Sequence, residues 1–295
     1  MVDQIALLGT GLMGAPIARN LARSGFPVTV WNRTAAKAVP LAAEDVAIAA
    51  SAAEAVSGAD LVISLLSDGP TTSEALFGER GVARAMRAGA TVAMMSSINP
   101  ETATEQAARL AELGIDYIDA PVSGGERGAI ARALTIFAGG SVRSIDAARP
   151  ALELLGRVNR VGGVGAGQLV KLANQIIVGI SIEAIAEALL LIERGGGDPE
   201  AAFAALKGGF ADSTVLRQHG ARMLSRNHAP GATIATQRKD LRMATGLAAK
   251  LALSLPLLDQ AAALYEQAAA GPDGELDHSA IHRTLRTQQQ RDSGE

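Results

Sequence analysis

The sequence contains no cysteine, which removes disulfides, thiolate nucleophiles and cysteine-ligated metals from consideration. Aromatic residues make up only 3% and the net charge is -3, so the chain lacks both the stacking platforms and the basic surface that nucleic-acid binding requires. Histidine is sparse and scattered, at His219, His228, His278 and His282. His278 and His282 stand one helical turn apart beside Asp277, but no third ligand accompanies them, and no metal site is expected. The amino terminus, MVDQIALLGTGLMG, lacks the basic flank and cleavage site of a signal peptide, and no apolar run reaches membrane-spanning length without polar interruption. The expectation is therefore a soluble, cytoplasmic protein. The polar tail RTQQQRDSGE is expected to fray.

What remains is ample for a core. The chain has 295 residues, 48% of them hydrophobic, with 32 glycines, enough material for two domains. An apolar strand at residues 5–8 runs straight into Gly9, Thr10, Gly11, Leu12, Met13 and Gly14, and helical spacing follows. That is GxGxxG between a strand and a helix. The first glycine permits the turn, the second admits a pyrophosphate to the backbone, and the third packs helix against strand, with the helix N-terminus facing the anion. A second strand at 28–31 ends in Trp31, Asn32, Arg33 and Thr34. An NAD-binding unit usually offers the ribose an acid at this place. An arginine there suits a 2'-phosphate instead, with Thr34 and Lys37 as helpers, so NADP(H) is favoured and NAD(H) stays open.

Strands at 60–66 and 91–95 end at Leu66 and Ser67 and at Ser96 and Ser97. In an open parallel sheet these ends share the edge where ligands bind, which places Leu66, Ser67 and Ser97 beside the nicotinamide half of the cofactor. Asn99 and Pro100 read as the start of a helix reaching about residue 113. After a strand at 117–120, Ser123, Gly124 and Gly125 expose backbone N–H groups and a hydroxyl, a pocket for a carboxylate or else a plain glycine turn. Further strands are expected at 134–138 and 157–161.

Residues 165–194, GAGQLVKLANQIIVGISIEAIAEALLLIER, keep helical spacing for about thirty residues without proline, which predicts one helix of roughly 40 Å. Lys171 shares a face of it with Asn174 and Gln175. A lysine snorkelling from a core helix gives the same pattern. Beyond this helix strand signals vanish. The fold class is thus an α/β Rossmann-type dinucleotide-binding domain, residues 1–163, followed by an all-α domain, residues 164–295, joined by the long helix.

Four stretches together resemble the β-hydroxyacid dehydrogenase family: GTGLMGAPIARNLARSGFPVTVWNR at 9–33, DAPVSGGERGAIARALTIFAGG at 119–140, GVGAGQLVKLANQIIVG at 163–179 and QRKDLRMA at 237–244. LVKLANQIIV, GGFADSTVL, RNHAPG, SLPLL and DGELDHSA look most like the tartronate semialdehyde reductase branch of that family. The resemblance implies that Lys171 acts as general acid, that Ser123, Gly124 and Gly125 hold the substrate carboxylate, and that Lys239 and Asp240 close over cofactor and site. It also implies a homodimer or homotetramer. Where many members carry asparagine four residues after the lysine, this chain has Gln175 with Asn174 before it, and either amide can contact substrate. Met94 stands where an aspartate often precedes the serines, and Thr10 where leucine or isoleucine is commoner.

The expected reaction is reduction of an aldehyde or ketone next to a carboxylate, with hydride from C4 of a reduced nicotinamide and a proton from Lys171, whose unperturbed pKa of about 10.4 makes it an acid near neutrality. The alternatives are a 3-hydroxyisobutyrate, L-threonate or L-serine dehydrogenase, or a glyoxylate or succinic semialdehyde reductase, on the same scaffold. A non-catalytic NADP-binding protein would need no lysine beside two amides.

Overall fold

In the computed structural model, residues 2–292 are described. They form two compact units, divided within the long helix between Lys171 and Leu172.

The first unit is built on a nine-stranded sheet. Its strands are β1 (Ile5–Leu8), β2 (Val28–Trp31), β3 (Val46–Ile48), β4 (Leu61–Ser64), β5 (Thr91–Met94), β6 (Asp116–Asp119), β7 (Val122–Ser123), β8 (Leu134–Gly139) and β9 (Gly156–Gly162). The order β3-β2-β1-β4-β5-β6 is parallel throughout. The topological switch point falls between β1 and β4, where such sheets bind ligands. β8 then runs antiparallel to β6 and β7, with β9 parallel to β8. Strands β1, β4 and β5 are buried at every position because helices cover both faces. Ile5, Leu7 and Ile63 pack into one core, while Ala6, Leu8 and Val62 pack into another on the opposite face. The covering helices are α1 (Gly14–Ala22), α2 (Ala52–Val56), α3 (Gly69–Phe77), α4 (Pro100–Ala111), α5 (Gly125–Ile130) and α6 (Val142–Leu152). Met94 is fully buried in the second core. Asn99 sits at the N-cap of α4, but its side chain makes no capping bond; Pro100 alone supplies the preset first residue.

α7 (Ala166–Arg194) spans 29 residues and runs from the first unit into the second. Contrary to the expectation that no apolar run reaches membrane-spanning length, it is by length and composition long and apolar enough to cross a membrane, with about a third of that stretch buried. Its polar side chains Gln168, Lys171 and Gln175 are nonetheless buried against protein partners described below.

The second unit is helical: α8 (Pro199–Leu206), a π turn at Leu216–Gly220, α9 (Ala221–Leu224), α10 (Ile234–Lys250), α11 (Pro256–Ala270), a 3-10 turn at His278–Ala280 and α12 (Ile281–Asp292). Its core gathers Leu172, Ile182, Ala186 and Leu189 of α7 with Leu241 of α10 and Tyr265 of α11. The tail read as fraying is helical as far as Asp292; residues 293–295 lie outside the described residues.

Candidate active site

In the first unit the glycine-rich turn leaves β1 at Leu8. Gly9 donates its N–H to Trp31 O at 2.9 Å, which ties the turn to the end of β2. A Cβ on Gly14 would overlap the carbonyl oxygen of Gly9, so only glycine lets α1 start this close to the strand. A Cβ on Gly11, by contrast, would meet nothing within 4 Å; the space beside that backbone is open. No side chain caps the first turn of α1; Ala15 N–H donates to Gly11 O at 3.1 Å, and a helix start that follows such a turn is a common anion site. The Thr10 hydroxyl is buried without a hydrogen-bond partner among the described residues. Thr10 N–H donates to Asn32 Oδ1 at 3.0 Å, and Asn32 Nδ2 donates to Thr34 O at 2.9 Å. Asn32 therefore bridges the glycine turn and the end of β2, and presents Arg33 and Thr34 exposed beside it. A glycine-rich turn between a strand and a helix, with open space beside Gly11, is the arrangement that dinucleotide-binding units present to a pyrophosphate.

The strand ends converge as the sequence indicated. Leu66 N–H donates to Ser96 Oγ at 2.8 Å. Ser67 is exposed and bonds to Asp68 and Thr71 at 3.0 Å each. Asp68 is the N-cap of α3, accepting from Thr71 N–H; the stretch read only as the end of a strand is a capped helix start. Ser97 is half-buried in the loop after β5.

Lys171 is 8% exposed, and its Nζ donates to Val122 O at 2.8 Å. Val122 and Ser123 form β7, and Gly124 is the N-cap of α5. The ammonium thus stands on the residue preceding the Ser123, Gly124 and Gly125 loop. The first turn of α7 is gripped by two residues that the sequence reading passed over. Asp119 accepts from Gly165 N–H at 2.9 Å and Gln168 N–H at 2.8 Å; burial raises its carboxyl pKa above the usual range, and these backbone donors offset only part of the rise. Gln168 donates to Ser96 O at 2.9 Å and accepts from Ile98 N–H at 3.0 Å.

The second unit collects the remaining candidates around one buried network. Gln175 Nε2 donates to Gln237 Oε1 at 2.9 Å and to Asp240 Oδ2 at 2.7 Å, while Gln237 Nε2 donates back to Gln175 O at 2.8 Å. Lys239 Nζ lies 3.2 Å from Asp240 Oδ1. Half-buried Asn174 donates to Gln175 Oε1 at 2.9 Å. Gln175 is therefore committed to protein partners, with Asn174 at the network's edge. Gln237 was missed although it stands in the QRKD string, three residues before Asp240 and on the same helix face.

Three of the four histidines, His219, His228 and His278, meet in this unit. His219 Nδ1 is 3.4 Å from Asp277 Oδ1, the His219 and His278 rings are 5.2 Å apart, and His228 Nδ1 is 2.9 Å from Ser279 Oγ. Arg222 also reaches Asp277 at 3.2 Å. Asp277 is buried, which alone would raise its pKa; the neighbouring His219 and His278 rings and the Ser279 donors overcome this and hold it well below the usual range. Among the described residues no group of three or more His, Cys, Asp or Glu is placed to hold a metal ion.

A model of the NAD binding domain of 6-phosphogluconate dehydrogenase matches residues 4–165. A model of the NAD-binding domain of NADP-dependent 3-hydroxyisobutyrate dehydrogenase matches residues 165–285. The chain belongs to the 3-hydroxyisobutyrate dehydrogenase-related family of β-hydroxyacid dehydrogenases. It is 42% identical to the 2-hydroxy-3-oxopropionate reductase of Escherichia coli K12 over 96% of this chain and 97% of that one. Among solved structures it is similar to Mycobacterium tuberculosis 3-hydroxyisobutyrate dehydrogenase with L-serine, at TM-score 0.88 and 33% identity over 97% of this chain and 100% of that one. Psf3 in complex with NADP+ and 2-OPP superposes at TM-score 0.88, with 25% identity over 95% of this chain and 99% of that one. The chain is accordingly an NAD(P)-dependent oxidoreductase acting on CH-OH groups, with a nicotinamide cofactor and a hydroxy-acid type of substrate.

Proposed function

We propose that this family member reduces tartronate semialdehyde to glycerate, reversibly, using NADP(H) in preference to NAD(H) and no metal. The observation that carries the reading is Lys171: a buried ammonium held at 2.8 Å from Val122 O, one residue before the Ser123 loop and in the same unit as the glycine-rich turn. Similarity to a 2-hydroxy-3-oxopropionate reductase at 42% identity supports the substrate. When bound, the reduced nicotinamide supplies hydride. Gly9, Thr10, Gly11, Leu12, Met13 and Gly14 hold the pyrophosphate, Asn32, Arg33 and Thr34 the ribose and its 2'-phosphate, and Leu66, Ser67 and Ser97 the nicotinamide half. Ser123 and the N–H groups of Gly124 and Gly125 receive the substrate carboxylate. Lys171 donates a proton to the developing alkoxide and stabilises its charge. Asn174 orients the substrate, Gln175 and Asp240 support it, and Lys239 closes over the cofactor.

In this reading residues 1–163 are the cofactor domain and 164–295 the substrate and oligomerisation domain of a soluble cytoplasmic enzyme. Ile177 and Leu191 of α7 are 66% and 75% exposed. With exposed Ala173 and Ala184 they lie at coiled-coil spacing on a mostly apolar face that also carries Glu187, which supports a homodimer or homotetramer. Steady-state rates with tartronate, succinic and methylmalonate semialdehydes and glyoxylate, each with NADH and NADPH, test substrate and cofactor together. The expected result is the highest kcat/KM for tartronate semialdehyde with NADPH. A preference for another member of the panel moves the enzyme to a different branch of the family, and no oxidation of NADPH with any of them points to a binding protein.

A further inference from the structure

Two fully buried polar residues, Asp119 and Gln168, are not among the groups assigned to substrate or cofactor. Both lie in the first unit, and both act on the first turn of α7. The Asp119 carboxylate accepts from Gly165 and Gln168 N–H, satisfying donors that a helix start leaves without partners. Gly167 allows the approach, since a Cβ there would overlap Phe137 O and the backbone oxygen of Asp119. The Gln168 side chain then reaches across to the loop after β5, holding Ser96 O with its amide N–H and Ile98 N–H with its oxygen. Ser97, a proposed nicotinamide contact, lies between those two anchor points. Ser96 Oγ in turn accepts from Leu66 N–H at 2.8 Å. One continuous set of hydrogen bonds therefore joins the two strand-end loops of the cofactor side to the helical turn ending in Lys171, three residues beyond Gln168.

We infer that Asp119 and Gln168 are positioning residues that fix the Lys171 ammonium and the Ser97 loop in one frame, so that proton donor and cofactor loop keep a constant offset. The inference rests on the reading of Lys171 as proton donor. A helix start held by a carboxylate alone would cap α7; the second grip, from Gln168 onto the loop after β5, is what couples the lysine to the cofactor side.

The test compares Gln168→Met, which keeps volume and removes both loop bonds, and Asp119→Asn, with Lys171→Ala as reference. Readouts are kcat and KM for tartronate semialdehyde, the NADPH dissociation constant by fluorescence, and the melting temperature. The expected result is a fall in kcat of roughly 10- to 100-fold in both variants, the scale of an ångström-size misplacement, with KM and the NADPH dissociation constant little changed. Normal kcat with a lowered melting temperature would make the pair a plain structural brace and overturn the inference. Weakened NADPH binding with normal kcat would overturn it equally. If neither variant folds, the pair is a folding element and the inference fails. Retained turnover in Lys171→Ala would instead sink the lysine reading itself, whereas a dead Lys171→Ala beside a fully active Gln168→Met sinks only the coupling.

Discussion

The two amides next to the lysine separate cleanly by experiment. Gln175 donates to Gln237 Oε1 and Asp240 Oδ2, and both partners are buried almost completely. Gln175→Leu keeps most of the volume and strips both donors. The neutral bond is worth about 1 kcal/mol and the bond to the carboxylate about 1.5–3 kcal/mol, with both acceptors left dry, so the loss is roughly 2–4 kcal/mol. At a few degrees per kcal/mol for a chain of this size, the melting temperature falls by roughly 5–15 °C. Denaturant titration should show a lower midpoint at unchanged slope. Asn174 is half-buried and its amide makes one bond to Gln175, so Asn174→Ala costs less than about 1 kcal/mol. Its effect should appear instead as a KM for the aldehyde raised about tenfold, the loss of one substrate hydrogen bond. A stability change below about 0.5 kcal/mol for Gln175→Leu, or an unchanged KM for Asn174→Ala, refutes the division of labour.

Glu183 gives a pH signature. Burial, helped by the neighbouring Glu187 carboxylate, raises its pKa from 4.5 to about 8, and its Oε1 has no hydrogen-bond partner among the described residues. The folded state then binds the proton more tightly than the unfolded one, so stability is greatest below pH 4.5 from this group and declines as pH rises to 8. The full shift corresponds to about 5 kcal/mol, which partial exposure reduces to about 1–2 kcal/mol. Glu183→Gln should raise the melting temperature at pH 8.5 relative to the parent and leave it unchanged at pH 5; equal effects at both pH values refute the burial argument. His228 and His282 are lowered by burial, so their contribution is complete above pH 6.5 and lost as pH falls below it. A chain with both replaced by Gln should lose less stability between pH 7 and 5 than the parent does. Arg33→Ala should cut kcat/KM for NADPH about 10- to 100-fold, the loss of one charge-assisted phosphate contact, and spare NADH; an equal loss with both cofactors contradicts its assignment to the 2'-phosphate.

Much of this was legible because the signals were local. Buried tetrads such as IALL and LVIS are short, bounded apolar runs, and the glycine turn between a strand and a helix carries its own context. α7 was readable because nothing interrupts its period. The strand end at Leu66 and Ser67 hides the helix start at Asp68, because N-caps and turns draw on the same residue types. The two-residue β7 and the π turn at Leu216–Gly220 have no periodicity to detect. At the candidate site, the residues proposed to meet ligands were the ones that could be named from motifs. Asp119, Gln168 and Gln237 could not, because each satisfies backbone or side-chain groups brought near only by folding: Gln168 meets Ile98 from 70 positions away and Gln237 meets Gln175 from 62. The gathering of His219, His228 and His278 around Asp277 and Ser279 was hidden for the same reason.

The central claim is that Lys171 is the proton donor and does not hold the cofactor. The most direct measurement is single-turnover oxidation of NADPH by tartronate semialdehyde in Lys171→Ala, alongside NADPH binding to the same protein. The account predicts a rate reduced by about 100- to 10,000-fold, the usual range for general acid catalysis, with the NADPH dissociation constant within about twofold of the parent. A variant that binds NADPH normally and still turns over at near the parental rate would contradict it.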